Sequence, residues 1–318
     1  MYTLLISIAL LAVSFLLLNY STDYFVRGLG VLCKRFEIPG SIVGATVAAI
    51  GSSAPEFGTS VFSVVEAHPT IGLGTIIGSA IFNITLLIAI SVWIRGCSVS
   101  RDVLHRDGLF YLIAVLITGI CMWDGKISRY EAVSWTCLYA VYLAWLIWDA
   151  KRKKEEFLGD MEVPSNINGA VYLIAGLLFI IFAAALLVRS TITITELMGI
   201  PESLFSLVII AIGTSISDLF ISIHAARNGM GSLAISNAIG SNTFDILACL
   251  GIPLSFPTET TVVGDIGISM PYLLVSFLIF LLLVRIGWHL NKKDASILFA
   301  VYVGYIAIIL LGKVHYIV

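Results

Sequence analysis

Two short polar stretches decide the fold of this sequence: GSSAPE at residues 51–56 and GTSISD at residues 213–218. Each ends in an acidic residue within a long apolar run. When the sequence is aligned with itself at an offset of 162 positions, residues 26–84 match residues 188–246 without a gap, with 15 identities in 59 positions. Several identities are glycine, serine or proline, which a general excess of apolar residues does not explain. The sequence therefore contains an internal repeat.

The composition places the chain in a lipid bilayer. Of its 318 residues, 59% are hydrophobic and 12% are charged, and the mean hydropathy of +1.02 lies far above that of globular proteins. Ten apolar runs are long enough to cross about 30 Å of hydrocarbon as helices. They cover residues 3–19, 41–64, 71–94, 108–123, 131–148, 169–188, 203–225, 232–255, 268–286 and 295–311. We therefore predict an all-α integral membrane protein with ten transmembrane helices.

The repeat divides the predicted helices into two sets of five. We expect a first repeat at residues 1–149, a short cytoplasmic loop at residues 150–166 and a second repeat at residues 167–318. Because five is an odd number, the second repeat enters the membrane from the face opposite to the first. The two repeats are then inverted about an axis in the membrane plane, an arrangement typical of secondary transporters.

The basic residues predict the orientation of the chain. In a ten-helix topology, 14 of the 18 lysine and arginine residues fall on one side of the membrane, including those of the loop at residues 150–166. The positive-inside rule assigns that side to the cytoplasm and both termini to the opposite side. The short loops favour a prokaryotic plasma membrane. We expect membrane lipid as a partner, and neither nucleic acid nor an obligatory protein partner.

Four polar clusters interrupt the apolar runs at repeat-related positions. In each cluster a serine lies three or four positions before an acidic residue or an asparagine, so the two side chains share one face of a helix. The clusters are Ser53 with Glu56, Ser215 with Asp218, Ser79 with Asn83, and Ser241 with Asp245. All of these side chains offer oxygen, and none offers imidazole nitrogen or thiolate sulfur. This donor set favours calcium or alkali cations over zinc or copper.

Two further features support a cation site. Glycine next to serine or threonine allows these helices to break, and a break frees main-chain carbonyl oxygens as additional ligands. The freed carbonyl groups include those of Ala49, Ser52, Ala211 and Thr214. An acidic side chain at the centre of a membrane helix costs about 2.5 to 3.5 kcal/mol. The presence of three acids, at Glu56, Asp218 and Asp245, therefore indicates function rather than helix packing.

At these residues the sequence resembles the cation/calcium exchanger superfamily, whose two repeats carry GSSAPE-like and GTS-like motifs, each followed by a GS(A/N)xF(N/D) segment. That second segment occurs here at residues 78–83 and 240–245. The first motif is similar to that of sodium/calcium exchangers. Asp218 and the RNGMG stretch at residues 227–231 are most similar to the potassium-dependent branch. Ser217 departs from the pattern, because the family usually has proline there.

The resemblance implies a role for each motif position. Glu56 and Asp218 would be the paired calcium carboxylates, and Asp245 would be the candidate residue for potassium coupling. Main-chain oxygens of Ala49, Ser52, Ala211 and Thr214 would complete the calcium site. The flanking sodium sites would be lined by Ser53, Ser79, Asn83, Ser215, Ser241 and Asp245. The transported ions would be Ca²⁺ and Na⁺, with K⁺ left open, and no cofactor is implied.

The resemblance thus implies a secondary active transporter, not an enzyme, that exchanges sodium for calcium by alternating access at a carboxylate site near the membrane midplane. The residues leave two alternatives open. A proton/calcium exchanger and a cation channel would use the same oxygen chemistry, although a channel filter normally arises from rings of subunits or re-entrant loops. A membrane hydrolase is disfavoured, because the Gly-Asp pairs at residues 159–160 and 264–265 fall in loops.

Overall fold

The structure, a computed structural model, describes residues 2–35, 49–99, 101–153, 168–264, 266 and 269–314. This part of the chain is helical apart from two short strand pairs. The helices are α1 (Tyr2–Arg35), α2 (Ala49–Ser52), α3 (Ala54–Val65), α4 (Pro69–Ile94), α5 (Leu104–Asp124), α6 (Arg129–Lys153), α7 (Gly169–Met198), α8 (Glu202–Thr214), α9 (Ile216–Arg227), α10 (Gly231–Leu254), α11 (Ser269–Gly287) and α12 (Lys292–Val314). A short helix, Arg101–Val103, leads into α5.

Among the described residues, eight helices are long and apolar enough to cross a membrane, and α8 with α9 makes a ninth span if this bent pair is counted as one. The chain is therefore a multi-pass helical membrane protein. The sequence predicted ten spans. The remaining one, at residues 41–64, begins with residues 41–48, which lie outside the described part, and continues as α2 and α3. The ten-helix count and the inversion of the repeats stay predictions.

Helices α4 and α10 lie at the centre of the molecule. In each of them 89% of the apolar segment is buried inside the protein, against 22% in α1 and 33% in α7. The peripheral helices expose large apolar side chains, such as Leu16 and Phe182, each 61% exposed. Such surfaces are stable only against lipid or another protein. The polar clusters of α4 and α10 are therefore enclosed by the rest of the bundle.

Both signature stretches break a helix at a serine. Ser53 separates α2 from α3 with φ −91° and ψ 8°, and Ser215 separates α8 from α9 with φ −79° and ψ 4°. The bend between α8 and α9 is 43°. Pro55 occupies the first turn of α3, where proline is tolerated, whereas α9 has Ser217 at that place. The second break therefore forms without the proline that the family usually has.

The two central helices each contain a π-helical turn. These turns span Asn83–Leu87 in α4 and Asp245–Cys249 in α10. Their starting residues are 162 positions apart, which is the offset of the sequence repeat. A π turn redirects the side chains around it and often occurs at a functional site. Both turns begin at residues that the sequence analysis assigned to ion binding.

Two antiparallel strand pairs join connections from the two halves of the chain. Strand β1 (Cys97–Ser98) pairs with β4 (His289–Leu290), and β2 (Lys126–Ile127) pairs with β3 (Thr261–Val262). The sequence analysis did not predict these strands, because two residues are too few to show alternation. The pairs tie together the ends of α4, α5, α10, α11 and α12.

Helices α1 and α7 pack against each other at glycine residues. A Cβ built at Gly28 would meet the main chain of α7, and a Cβ built at Gly176 would lie 2.5 Å from the backbone nitrogen of Phe25. Nearby, Tyr24 and Tyr172 stack with their ring centroids 5.3 Å apart. Buried side chains of α1 and α7 form a hydrophobic cluster together with Ala54 of α3, Ile71 of α4 and Ile210 of α8. Helices α1 and α7 therefore pack on each other and, through this cluster, on the helices that carry the signature stretches.

Candidate functional site

Glu56 lies in the first turn of α3 and is fully buried. Its Oε1 accepts a hydrogen bond from Ser215 Oγ at 3.3 Å. Ser215 Oγ also lies 2.6 Å from Ser79 Oγ on α4. Ser215, at the helix break of the second stretch, therefore connects Glu56 of the first stretch to helix α4.

Asp218 has the corresponding position in α9 and is also fully buried. Its Oδ2 accepts a hydrogen bond from Asn83 Nδ2 at 3.0 Å, and its Oδ1 accepts a longer one from Asn237 Nδ2 at 3.4 Å. Asn237 Nδ2 also lies 3.5 Å from Ser222 Oγ. Both oxygens of this carboxylate therefore have amide donors on the central helices.

The buried carboxylates have no basic counter-charge in the part of the chain that the structure describes. Glu56, Asp218 and Asp245 are each 0% exposed, and no lysine or arginine there forms an ion pair with them. A buried charge without a partner is strongly destabilising. Bound cations or protons must therefore balance these groups.

A chain of amides sets the direction of the Asn83 side chain. Asn242 Nδ2 donates to the Ala80 carbonyl at 3.0 Å and to Tyr111 Oη at 3.2 Å. Because a carbonyl oxygen only accepts, Asn242 Oδ1 is left to accept from Asn83 Nδ2, at 3.0 Å. The same Asn83 nitrogen donates to Asp218. The amide nitrogen of Asn83 is thereby engaged, and its oxygen Oδ1 stays available as a ligand.

Four buried oxygen atoms of the predicted site have no hydrogen-bond partner. They are Ser53 Oγ, Glu56 Oε2, Asn83 Oδ1 and Asp245 Oδ2. Within the described ranges, only Thr118 Oγ1 and Trp135 Nε1 are further buried side-chain atoms of this kind. Buried polar atoms are normally paired, so unpaired oxygens concentrated on these residues need an explanation. Their chemistry fits the ligand set of a hard cation such as Ca²⁺ or Na⁺.

Asp245 opens the π turn of α10, and Cys249 Sγ at the end of that turn lies 3.6 Å from its Oδ1. Among the described residues, no three histidine, cysteine, aspartate or glutamate side chains come close enough to hold one metal ion. Glu56, Asp218 and Asp245 therefore do not form a single three-carboxylate cluster. Hydroxyl and amide groups lie between them.

The predicted main-chain ligands lie at the two helix breaks. Ser217 Oγ donates to the Ser52 carbonyl at 3.0 Å and to the Thr214 carbonyl at 3.3 Å. The Ala211 carbonyl accepts the amide of Ser215 at 3.1 Å and the Thr214 hydroxyl at 3.3 Å, and Ala49 is the first residue of α2. A carbonyl oxygen has two lone pairs. The Ala211 oxygen is therefore free for a cation when the Thr214 hydroxyl donates only to its other acceptor, the Ile210 carbonyl at 3.2 Å.

The sequence analysis missed the residues that orient the ligands. Asn237, Asn242 and Tyr111 were not assigned, although Asn242 lies within the quoted motif at residues 240–245. Predicted ligand Ser241 donates its hydroxyl to the Asn237 carbonyl at 2.9 Å. The sequence did contain a signal for two of them. Asn237 and Asn242 are uncharged amides inside the apolar run at residues 232–255, and buried amides also need hydrogen-bond partners.

Comparison with known families decides what kind of protein carries this site. The sequence matches the profile of the family described as "Sodium/calcium exchanger protein" over residues 6–148 and 168–311. The chain belongs to the sodium/calcium exchanger family. The resemblance found in the motifs is thereby confirmed, and this exchanger is a membrane transporter rather than an enzyme.

The exchanger is similar over nearly its whole length to named exchangers. Sodium/calcium exchanger MaX1 of Methanosarcina acetivorans is 25% identical over 344 aligned positions, covering 96% of this chain and 98% of that protein. The solved structure of the sodium-calcium exchanger NCX_Mj soaked with Na⁺ and Sr²⁺ gives a TM-score of 0.68 at 28% identity, covering 96% of this chain and 98% of that one. Human sodium/potassium/calcium exchanger 3 is 35% identical over 130 residues, which is 40% of this chain and 20% of that protein. Likeness to the potassium-dependent branch thus extends over part of the chain.

Proposed function

We propose that this exchanger moves Ca²⁺ in exchange for Na⁺ by alternating access at its buried carboxylate site. The observation that carries the proposal is the set of unpaired acceptor oxygens on the signature stretches and π turns. Oxygen ligands of this kind suit both ions. The similarity to MaX1 and NCX_Mj, whose names state sodium/calcium exchange, supports the choice of ions.

The proposed calcium site uses Glu56 and Asp218 as its carboxylates. Because amides occupy both oxygens of Asp218 while Glu56 Oε2 has no donor, we expect Glu56 to make the stronger direct contact. The main-chain oxygens of Ala49, Ser52, Ala211 and Thr214 would complete this site. The sodium sites would use Ser53, Ser79, Asn83, Ser215, Ser241 and Asp245.

Shared ligands would couple the two ions. The buried carboxylates require positive charge, which either one Ca²⁺ or several Na⁺ ions can supply. Both kinds of ion would use neighbouring oxygens, so occupancy by one disfavours the other. With neither ion bound, the carboxylates would leave unbalanced negative charge inside the protein. This charge would oppose the conformational change of the empty transporter. Exchange rather than leak follows from these two conditions.

The proposed conformational change is a movement of α1 and α7 relative to the remaining helices. Their mutual packing at Gly28 and Gly176 supports treating them as one unit. The helix breaks and π turns recur at the repeat offset of 162 residues, which supports inverted halves at residues 1–149 and 167–318 joined by residues 150–166. Both termini would face away from the cytoplasm of a prokaryotic cell.

The test is calcium-45 uptake into proteoliposomes loaded with sodium. We expect uptake to depend on the outward sodium gradient and to be lost in Glu56→Gln and Asp218→Asn. Glu196→Gln, an exposed glutamate of α7, is the matched control and should transport like the wild type. Repeating the assay with and without external potassium, in wild type and Asp245→Asn, tests potassium coupling.

Two other outcomes would replace this proposal with another function. If a proton gradient drives uptake equally well in the absence of sodium, the protein is a proton/calcium exchanger. If calcium flux needs no opposing gradient of either ion, the protein is a channel. Full activity in both carboxylate variants would show that the site lies elsewhere.

A further inference from the structure

A groove of about 510 Å³ runs along α9 and the start of α10, outside the carboxylate site. Its lining includes Phe220, Ile223, His224, Arg227, Met230 and Leu233. Three of these apolar side chains are open to the surroundings: Phe220 is 60% exposed, Met230 46% and Leu233 45%. An apolar groove on helices that cross a membrane is suited to a hydrocarbon chain.

One end of this groove is basic. Arg227 is the last residue of α9, and His224 lies one turn before it. The Arg95 guanidinium lies against the turn between α9 and α10, because a Cβ built at Gly229 would be 2.9 Å from Arg95 Nη1. Within the described part of the chain neither arginine forms an ion pair. Among the described residues that line the groove none is acidic, so its charge is complementary to an anion.

We propose that the groove binds an anionic phospholipid, with an acyl chain along Phe220 and Leu233 and the phosphate at Arg95 and Arg227. Guanidinium groups pair with phosphate oxygens in a two-pronged geometry. A zwitterionic lipid carries a phosphate too, but its ammonium group offsets the attraction to the two arginines. The structure therefore favours a headgroup with net negative charge.

The groove lies on the helix that carries a calcium carboxylate. Phe220 follows Asp218 by two residues, and Arg227 is roughly 10 Å farther along α9 at 1.5 Å per residue. A lipid along this path contacts α9 just beyond its bend at Ser215 and bridges it to α10. Because the lipid binds the folded protein, it raises the thermal stability of that state.

The experiment is native mass spectrometry of the full chain in neutral detergent, with phosphatidylglycerol or phosphatidylcholine added, together with thermal unfolding. We expect the wild type to retain phosphatidylglycerol roughly fivefold or more over phosphatidylcholine, and to gain thermal stability from the former only. Arg95→Gln with Arg227→Gln should abolish this preference. Leu233→Trp, which fills the groove, should reduce retention while both arginines remain. Arg285→Gln is the matched control, since Arg285 is an exposed arginine on α11.

Equal retention of the two lipids by the wild type would overturn the proposal, as would unchanged phosphatidylglycerol binding in the double arginine variant. Glycerol 3-phosphate alone is a further probe. If it binds as tightly as the lipid, and Leu233→Trp does not weaken phosphatidylglycerol binding, the arginines hold a soluble anion and the proposal is wrong. If the double variant fails to fold, the single variants Arg227→Gln and Leu233→Trp replace it. Reduced retention of phosphatidylglycerol in both supports the proposal, and unchanged retention in both contradicts it.

Discussion

Asn83 and Asp245 occupy equivalent places in the two halves, each at the start of a π turn, but they present different oxygens. Asn83 is neutral, and its nitrogen donates to Asp218. Asp245 is an acid with one oxygen near Cys249 and one unpaired. Of the three buried carboxylates of the site, the second half therefore carries two and the first half carries Glu56 alone. The two positions share a π turn but differ in charge.

Removing the Asn83 amide tests the orientation of the site. Asn83→Leu loses the unpaired Oδ1 and leaves Asp218 Oδ2 without its donor at 3.0 Å. A hydrogen bond to a charged group is worth about 1.5 to 3 kcal/mol, so we expect calcium affinity to fall by roughly ten- to a hundredfold. The measurement is the calcium concentration for half-maximal uptake. Asn228→Leu, in the exposed turn after α9, should leave that concentration unchanged. An unaltered value in Asn83→Leu would contradict the assigned role.

The sequence predicted the oxygen-bearing residues because acids and hydroxyls in apolar runs are costly and therefore conspicuous. It did not predict which of them contact each other. The link from Glu56 to Ser215 and on to Ser79 depends on the break at Ser215 and on the approach of this break to both α3 and α4. Nothing in the sequence marks Cys249 as a neighbour of Asp245, and the π turn between them brings its Sγ to within 3.6 Å of Asp245 Oδ1.

Helices extend well beyond the apolar runs that predicted them. The run at residues 3–19 became α1, which continues to Arg35, and the run at residues 169–188 became α7, which continues to Met198. Only the apolar part of such a helix has to match the hydrocarbon thickness, and the polar residues that follow do not by themselves stop a helix. Helix α6 likewise reaches Lys153, into the segment predicted as a loop at residues 150–166, while residues 154–167 lie outside the described part. Glycine next to serine or threonine predicted the breaks at Ser53 and Ser215, but the Gly-Ser pairs at residues 78–79 and 240–241 lie inside unbroken helices.

Glycine substitutions test the packing of α1 on α7. Gly176→Ala places a Cβ 2.5 Å from the backbone nitrogen of Phe25. The main chains of α1 and α7 can relieve this clash only by moving apart. We expect a loss of about 1 to 3 kcal/mol, seen as a lower unfolding temperature in detergent. Gly119→Ala is the matched control, because a Cβ there meets only the end of Met270 at 3.8 Å. It should be neutral or stabilising by about 0.5 to 1 kcal/mol. Equal effects of the two variants would refute close packing at Gly176.

At the scale of the whole molecule, the paired helices α1 and α7 lie against the helices that carry the signature stretches. They share a hydrophobic cluster with Ala54 of α3 and Ile210 of α8. The contact is close, because a Cβ built at Gly51 would clash with Val26 of α1, and one built at Gly213 would clash with the Phe15 ring. Both glycines open a signature stretch, so any movement of α1 passes directly over the two helix breaks.

Cross-links distinguish a moving pair of helices from a rigid bundle. In a background without native cysteines, Tyr24→Cys with Tyr172→Cys bridges α1 to α7, and Phe15→Cys with Gly213→Cys bridges α1 to α8. We expect a short thiol-specific cross-linker to leave exchange largely intact in the first pair and to stop it in the second, with recovery after reduction. The measurement is sodium-driven calcium-45 uptake before and after cross-linking. Full-rate exchange in the second pair while it is bridged would exclude movement of α1 against the core.

The central claim is that Glu56 and Asp218 hold the transported calcium. The most direct measurement is anomalous diffraction from crystals soaked in Ca²⁺ or Sr²⁺ at low sodium, repeated at high sodium. We predict a single strong peak within about 2.3 to 2.6 Å of carboxylate oxygens of Glu56 and Asp218 for calcium, lost when sodium is raised. A peak that avoids these two side chains, or one that persists unchanged at high sodium, would contradict the claim.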